Sequence, residues 1–533
     1  MKTPHRALRF TSPRLLTMLL IVGTAGPPAQ AVKQSMAIRV AGYDKPAVLT
    51  NFPLLVVFNE GRTNFLYSQF ITTNGADLRV YDAAETNELA YEIETWNTNG
   101  DSMIWVRMPL LSGSNDYIRA CWGDPAETNA PAYTTNGAVW NADYRLVLHM
   151  GSGADSSTNR LGGNVSNVVF AADNIGNVGW FNGTNSRIAK NHSTALKPSS
   201  TITISAWVKS GGLTTQRYRN IYRKEDLSAR HILAFQEFGT IVSFGLHIAG
   251  VYNELDVSIS AANYTDGWHL VTGVYDGTAK RLYSDGVQIG ISNNVGALDT
   301  AGTAKAYIGC TEPEAEWYLG GIDELNLSGT ARSSNWVWAC YMSQKAGSTF
   351  LCYEPVVPRG TVMNLDDGGP DSLRGRLQLA VPGDTIQFNE GLEGTLVLTN
   401  GPLTIPDGIA LEGPGPASIT ISGNGANRIF TANGVTASVS GLTFSNGLAS
   451  GSNGGALYQA GGDITFSNCV FVNNRSLGAD GAAGGWGGAI YATGGVTTVR
   501  DATFSANVAK GPRGLPPGTD NRSGGGGGGS GLG

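Results

Sequence analysis

The sequence predicts an all-β chain built of several units, and three observations carry that reading. Charged residues make up 15% of the 533, well under the usual quarter, while glycine reaches 73. Short apolar runs alternate with polar residues and are divided by Asn-Gly, Ser-Gly and Asp-Gly dipeptides. Toward the C-terminus a motif recurs at a fixed offset of 33 residues. A chain of this length is expected to hold about three domains. Its net charge of −6, with no basic cluster beyond the extreme N-terminus, argues against nucleic acid as a partner.

The N-terminus opens with Lys2, His5, Arg6, Arg9 and Arg14, followed by the apolar run LLTMLLIVGTAG and by PPAQA, which ends in small residues at Ala29 and Ala31. This order reads as a secretory signal peptide over residues 1–31, with the mature chain starting at Val32. The run is shorter than the roughly 20 residues that span a bilayer, and no later segment offers a membrane span. Export permits disulfides, so one pair among Cys310, Cys340 and Cys352 is expected, with Cys121 and Cys469 completing an odd total of five. No Cys or Cys/His spacing fits zinc.

Residues 36–135 read as a first β-sandwich. FPLLVVF (Phe52–Phe58) is a short buried strand, and DLRVYDA, ELAYEIETW, SMIWVRMP and DYIRACWGDP alternate behind turn dipeptides. The run NFP…DLRVYD…YEIETW…IWVRMP…CWGDP resembles DUF2341, a domain of unknown function in exported bacterial proteins. The resemblance implies a fold and no chemistry.

Residues 140–348 form the second unit. YRLVLHM (Tyr144–Met150) leads to the polar turn GSGADSSTN. In DGWHLVTGVYDGTAKRLYSDGVQIG two alternating runs flank Asp276-Gly277, a hairpin dipeptide, and Asp285-Gly286 turns the chain again. A strand through Ile322–Leu327 is expected to feed a short helix around Asn335–Met342. The pieces FNGTNSRI, ISAWVK, GWHLVTGVYDG, LYSDGVQIG and GGIDELNLSGTARS, in this order, resemble the laminin-G-like jelly-roll of the concanavalin A-like lectin/glucanase superfamily. That resemblance implies two packed antiparallel sheets, with Trp207, Trp268, Val271, Val274 and Ile322 as core. It also implies a structural calcium ion, held by Asp155 of the polar turn and Asp323 of the IDE segment.

Residues 360–533 form the third unit. NLDDGGPDSLRGRLQLAVPGDTIQF resembles the entry segment of exported bacterial β-helix proteins, in which a short helix feeds a Gly-Asp-Thr-Ile strand. GGALY begins at Gly454 and GGAIY at Gly487, while FVNN begins at Phe471 and FSAN at Phe504, so both halves shift by 33 residues together. GGA[LI] with F-x-x-N resembles the polymorphic outer-membrane-protein repeat, which implies a right-handed parallel β-helix. On that reading Phe471 stacks on Phe504, Asn474 and Asn507 form a ladder, and Gly454, Gly455, Gly487 and Gly488 serve positive-φ corners. The closing NRSGGGGGGSGLG aligns GLG with the earlier GWG and reads as a loop between coils, so the unit is expected to continue beyond Gly533.

No catalytic residue is assigned. The E-x-D-x-x-E spacing of concanavalin-type glucanases is absent, and neighbouring Asp323 and Glu324 are expected to face opposite sides of their strand. All six His lie at or before His269, and the late acids Asp463, Asp480, Asp501 and Asp520 are scattered. A sugar site would need exposed aromatics with planar polar groups, and QRYRN, YNE and EWY single out Tyr218, Tyr252 and Trp317. The expected function is a non-enzymatic, adhesin-like protein, secreted or at the cell surface or outer membrane of a bacterium. Its jelly-roll would bind carbohydrate or another surface ligand, and its β-helix would act as a stalk. Two other readings stand beside it: a polysaccharide-degrading enzyme whose catalytic part is missing or in the β-helix, and a purely structural surface protein.

Overall fold

The computed structural model describes residues 32–511, except 213–215, 227–228, 312–314 and 480–483. The expected signal segment and the closing glycine run therefore lie outside the described residues. Among the described residues no helix is long and apolar enough to cross a membrane.

The first unit packs two antiparallel sheets. In one, Leu49–Phe58 pairs along its length with Ser102–Leu111, and Tyr91–Thr95 joins the latter. In the other, Gln34–Arg39 lies between Tyr117–Trp122 and two strands from far along the chain, Cys352–Tyr353 and Val357–Pro358. The chain thus leaves the first unit, builds the jelly-roll, and returns to close the first unit's sheet.

The jelly-roll stacks an eight-stranded on a seven-stranded antiparallel sheet around Leu146, Ile204, Tyr222, Leu233, Phe244, Val271 and Ile322. Both expected turns form. Asp276 Oδ1 accepts from the Thr278 and Ala279 amides at the first, and Asp285 (φ 52°) with Gly286 (φ 78°) supplies the paired left-handed residues of the second. The expected strand is Leu319–Ser328, and the expected helix is Ser334–Gln344, capped where Ser333 Oγ accepts from the Trp336 amide at 3.2 Å.

Of the predicted core, Trp207, Val271, Val274 and Ile322 are buried, and Trp268 needs correction. Trp207 is buried, but with Phe52, Trp105 and Trp336 in a cluster shared with the first unit. Val274 packs beneath the helix with Tyr283 and Val337. Trp268 is only half-buried, laid over Gly321, with its indole N–H donating to Asp173 Oδ1 at 3.1 Å. Strand alternation tells which side chains share a face; it does not tell what covers that face. No disulfide is seen among the described residues, and Cys121, Cys340, Cys352 and Cys469 are free thiols. Cys310 is buried beside Tyr307 on the jelly-roll, Cys340 sits on the helix against the first unit, and Cys352 is exposed on the returning strand. Closeness in sequence does not bring these three elements together.

The third unit is a parallel β-helix. Its short helix, Leu373–Leu379, is capped by Ser372 and leads to Thr385–Phe388. Parallel sheets of six, five, four and three strands then stack coil on coil. Ile386, Leu411, Val439 and Phe466 stack in register inside one wall, and Leu396, Ile421, Phe444, Phe471 and Phe504 inside the next. Phe471 and Phe504 are parallel, with centroids 4.7 Å apart. The Asn ladder is present: Asn507 Oδ1 accepts from Asn474 Nδ2 at 3.0 Å, and Asn474 Oδ1 accepts from the Gly447 amide at 2.8 Å. Only two of the four corner glycines have positive φ, Gly454 (71°) and Gly487 (63°). Gly455 and Gly488 are needed for space, since a Cβ at Gly455 would meet the Gly488 carbonyl at 2.4 Å.

A buried charge cluster joins the first unit to the β-helix. Glu85 accepts from Arg376 (2.6 Å) and Arg359 (2.9 Å) and forms an ion pair with Arg119 at 3.0 Å, and Asp371 Oδ1 accepts from Arg119 and Arg376. Burial pushes the Glu85 carboxyl up, but the three guanidinium groups outweigh it and hold it below the usual carboxylate range.

Candidate functional site

The seven-stranded sheet turns one face to the core and the other outward. On its edge strand Val251–Ser258, Tyr252 and Glu254 are two apart and share the outward face. Gly245, on the adjacent strand, leaves room for Tyr252 to lie across the sheet: a Cβ there would come within 2.3 Å of the tyrosine oxygen. The Arg230 guanidinium covers the Tyr252 ring at 4.2 Å, and the His247 ring lies 5.3 Å away.

From there a continuous polar network crosses the strands. Glu254 accepts from Tyr252 and from Gln236 Nε2 (3.1 Å). Arg230 pairs with Glu225, Glu225 with Arg223, and Arg223 with Glu316 at 2.6 Å. Glu316 also accepts from Asn220 Nδ2 at 2.8 Å. Its neighbour Trp317 is half-buried against Tyr307 and Cys310. Tyr252 and Trp317 therefore lie at opposite ends of one network. Tyr218 lies at the sheet's end, stacked on Arg217, which in turn pairs with Glu237 in the turn after Ala229–Gln236. The same turn carries Phe238, 48% exposed with φ 57°. Sequence reading missed Phe238, because nothing in EFGT marks a left-handed aromatic. It also missed Arg223 and Arg230, whose roles depend on partners across strands.

A second constellation lies between the first unit and the jelly-roll. Glu92 and Glu94 lie on Tyr91–Thr95, whose pairing with Ser102–Leu111 shifts register between Ile93 and Thr95, and both carboxylates reach His149. Glu92 accepts from the Trp140 indole at 2.9 Å and Ser156 Oγ at 2.8 Å, and Glu94 from the Trp105 indole at 2.7 Å. From the jelly-roll, His149 enters between the Trp105 and Trp140 rings, and its Nδ1 lies 2.7 Å from Glu324 Oε1 and 3.6 Å from Glu94 Oε2.

Asp323 and Glu324 do not obey the expected alternation. Pairing with Ile202–Ser210 shifts register between Ser205 and Trp207, and Glu324 takes φ 44°, so the strand bulges there. The Asp323 carboxylate accepts from the Ile175 amide (3.0 Å), Asn174 Nδ2 (3.2 Å) and the Glu324 amide (2.9 Å). Burial, and then the charge of Glu324, hold both Asp323 and Glu94 well above the usual carboxylate range; burial does the same to Glu324.

Asp155 is held elsewhere. Its carboxylate accepts from the Val147, Ser157 and Leu161 amides and from Ser157 Oγ, all within 3.1 Å. Asp155 and Asp323 thus each stand in their own hydrogen-bond set. The one His/Cys/Asp/Glu group with metal-ligand spacing among the described residues is Glu94, His149 and Glu324.

Residues 182–337 match the family described as the concanavalin A-like lectin/glucanases superfamily, and residues 74–138 match DUF2341, the domain of unknown function. No curated protein matches the sequence. Solved structures that resemble part of the chain include the binding domain of Paraclostridial Mosquitocidal Protein 1, at 16% identity and TM-score 0.32, covering 38% of this chain. The chain spans 52% of that domain's length. Domain 4 of AbnA, an extracellular arabinanase from Geobacillus stearothermophilus solved with arabinotriose, shows 20% identity and TM-score 0.32, covering 37% of this chain and 97% of that one. The binding domain of botulinum neurotoxin serotype G shows 17% identity and TM-score 0.33, covering 37% of this chain and 50% of that one.

Proposed function

We propose that this chain, in which a concanavalin A-like domain stands between a DUF2341 domain and a parallel β-helix, is an exported bacterial ligand-binding protein. The jelly-roll would take carbohydrate on the outward face of its seven-stranded sheet. The β-helix would serve as a rigid stalk, secreted or held at the cell surface.

The carrying observation is the network from Gln236 and Tyr252 to Asn220 and Glu316. Planar amide, carboxylate and guanidinium groups match the paired hydroxyls of a sugar, and their mutual contacts fix them before a ligand arrives. Tyr252 and Trp317 supply apolar surface at the two ends of the row.

The test is a broad glycan array probed with the whole exported chain, because Trp207 and Trp336 are buried against the first unit and a jelly-roll cut at 140–348 would expose them. A glycan hit should weaken at least tenfold in Tyr252→Ala and in Arg223→Gln. Silence across the array, or hits that both variants leave unchanged, would sink this reading in favour of protein contacts alone.

A further inference from the structure

We propose that Glu94, His149 and Glu324 hold a divalent cation of the zinc or manganese class, which joins the first unit to the jelly-roll. One ligand atom from each residue falls within 4.8 Å of the others. His149 Nδ1 lies 2.7 Å from Glu324 Oε1, a hydrogen bond, and 3.6 Å from Glu94 Oε2; an ion with bonds of about 2.0–2.2 Å takes the place of the shared proton once the shorter contact opens to about 3 Å.

Burial and charge point the same way. The Glu94 and His149 side chains are only 5% and 9% exposed, and Glu94 Oε1 and His149 Nε2, the atoms outside those two contacts, are buried with no hydrogen-bond partner. Among the described residues, His149 is the one basic side chain paired with Glu92, Glu94 and Glu324. Several buried carboxyls around one imidazole are short of positive charge, and a cation supplies it.

The surroundings suit a metal site. The Trp105 indole donates to Glu94 Oε2 and so orients that carboxylate, and Asp323 Oδ1 accepts from the Glu324 amide in the bulge that aims Glu324 inward. The imidazole ligand favours zinc or manganese over calcium, which takes oxygen. Trp105 and Trp140 both pack against the imidazole, with ring centroids 5.7 and 5.4 Å away.

The test uses the whole exported chain, stripped with chelator and then titrated with Zn²⁺, Mn²⁺ and Ca²⁺. We expect one Zn²⁺ or Mn²⁺ per chain, a higher melting temperature on loading, and at least a tenfold loss of affinity in His149→Gln. X-ray absorption of the zinc-loaded wild-type chain should show one imidazole with oxygen ligands, a readout that holds even if the variant fails to fold. A stripped chain that takes up neither Zn²⁺ nor Mn²⁺, uptake that His149→Gln leaves unchanged, or sulfur in the absorption spectrum would each overturn the proposal.

Discussion

At the scale of single residues, His231 and Glu85 mark two ways of burying a titratable group. His231 is 2% exposed, neither ring nitrogen has a hydrogen-bond partner, and burial followed by the charges of Lys224 and His247 pushes it down to about 3. The unfolded chain binds this proton near pH 6.5, the folded chain only near 3. Stability is therefore complete above pH 6.5 and falls as pH drops from 6.5 toward 3, by no more than about 5 kcal/mol. His231→Leu should flatten that part of the profile in denaturant titrations run at a series of pH values; an unchanged slope would mean the ring finds a partner. Glu85 is the opposite case, a buried anion among three cations. Glu85→Gln leaves the guanidinium groups facing one another, and a loss of about 3–5 kcal/mol is expected in urea unfolding.

Elements show what local sequence can and cannot carry. The Asp285-Gly286 turn, the capped helix Ser334–Gln344 and the 33-residue repeat were legible because each depends on neighbours in sequence or on a period. The acid–His constellation was not legible. His149 and Glu324 are 175 positions apart, and a bulge turns Glu324 against the alternation that a strand imposes. Tyr252 was legible as an aromatic beside an acid, but Arg230 above it belongs to another strand. The Asn ladder offers a test at this scale. Asn474 is fully buried, accepts from the Gly447 amide and donates to the Phe444 carbonyl. Asn474→Ala strands these groups at a cost of about 2–4 kcal/mol, read as faster hydrogen exchange in the coils around Phe444 and Phe471. Normal protection there would show that the ladder contributes little.

Across the whole molecule, the first unit and the jelly-roll share one apolar cluster running from Met36 through Trp105 to Trp207, Trp336 and Phe350. Two sandwiches that share a core should melt together. Calorimetry of the full chain is expected to show one transition for this pair, with the β-helix core, a separate cluster, free to melt on its own. A separate early melt of the jelly-roll would contradict the shared core.

The returning strand has a mechanical consequence. Gln34 pairs with Pro358, and the Arg359 amide donates to the Lys33 carbonyl at 2.9 Å, so the path into the first two units and the path out of them lie side by side. Tension applied between Val32 and the β-helix therefore bypasses the jelly-roll. It falls first on this short antiparallel seam, loaded from its open end so that its hydrogen bonds break in succession, and on the Glu85 and Lys33 ion pairs beside it. Under load the jelly-roll stays slack until the seam opens, so its sheet face keeps its shape while the seam acts as the fuse.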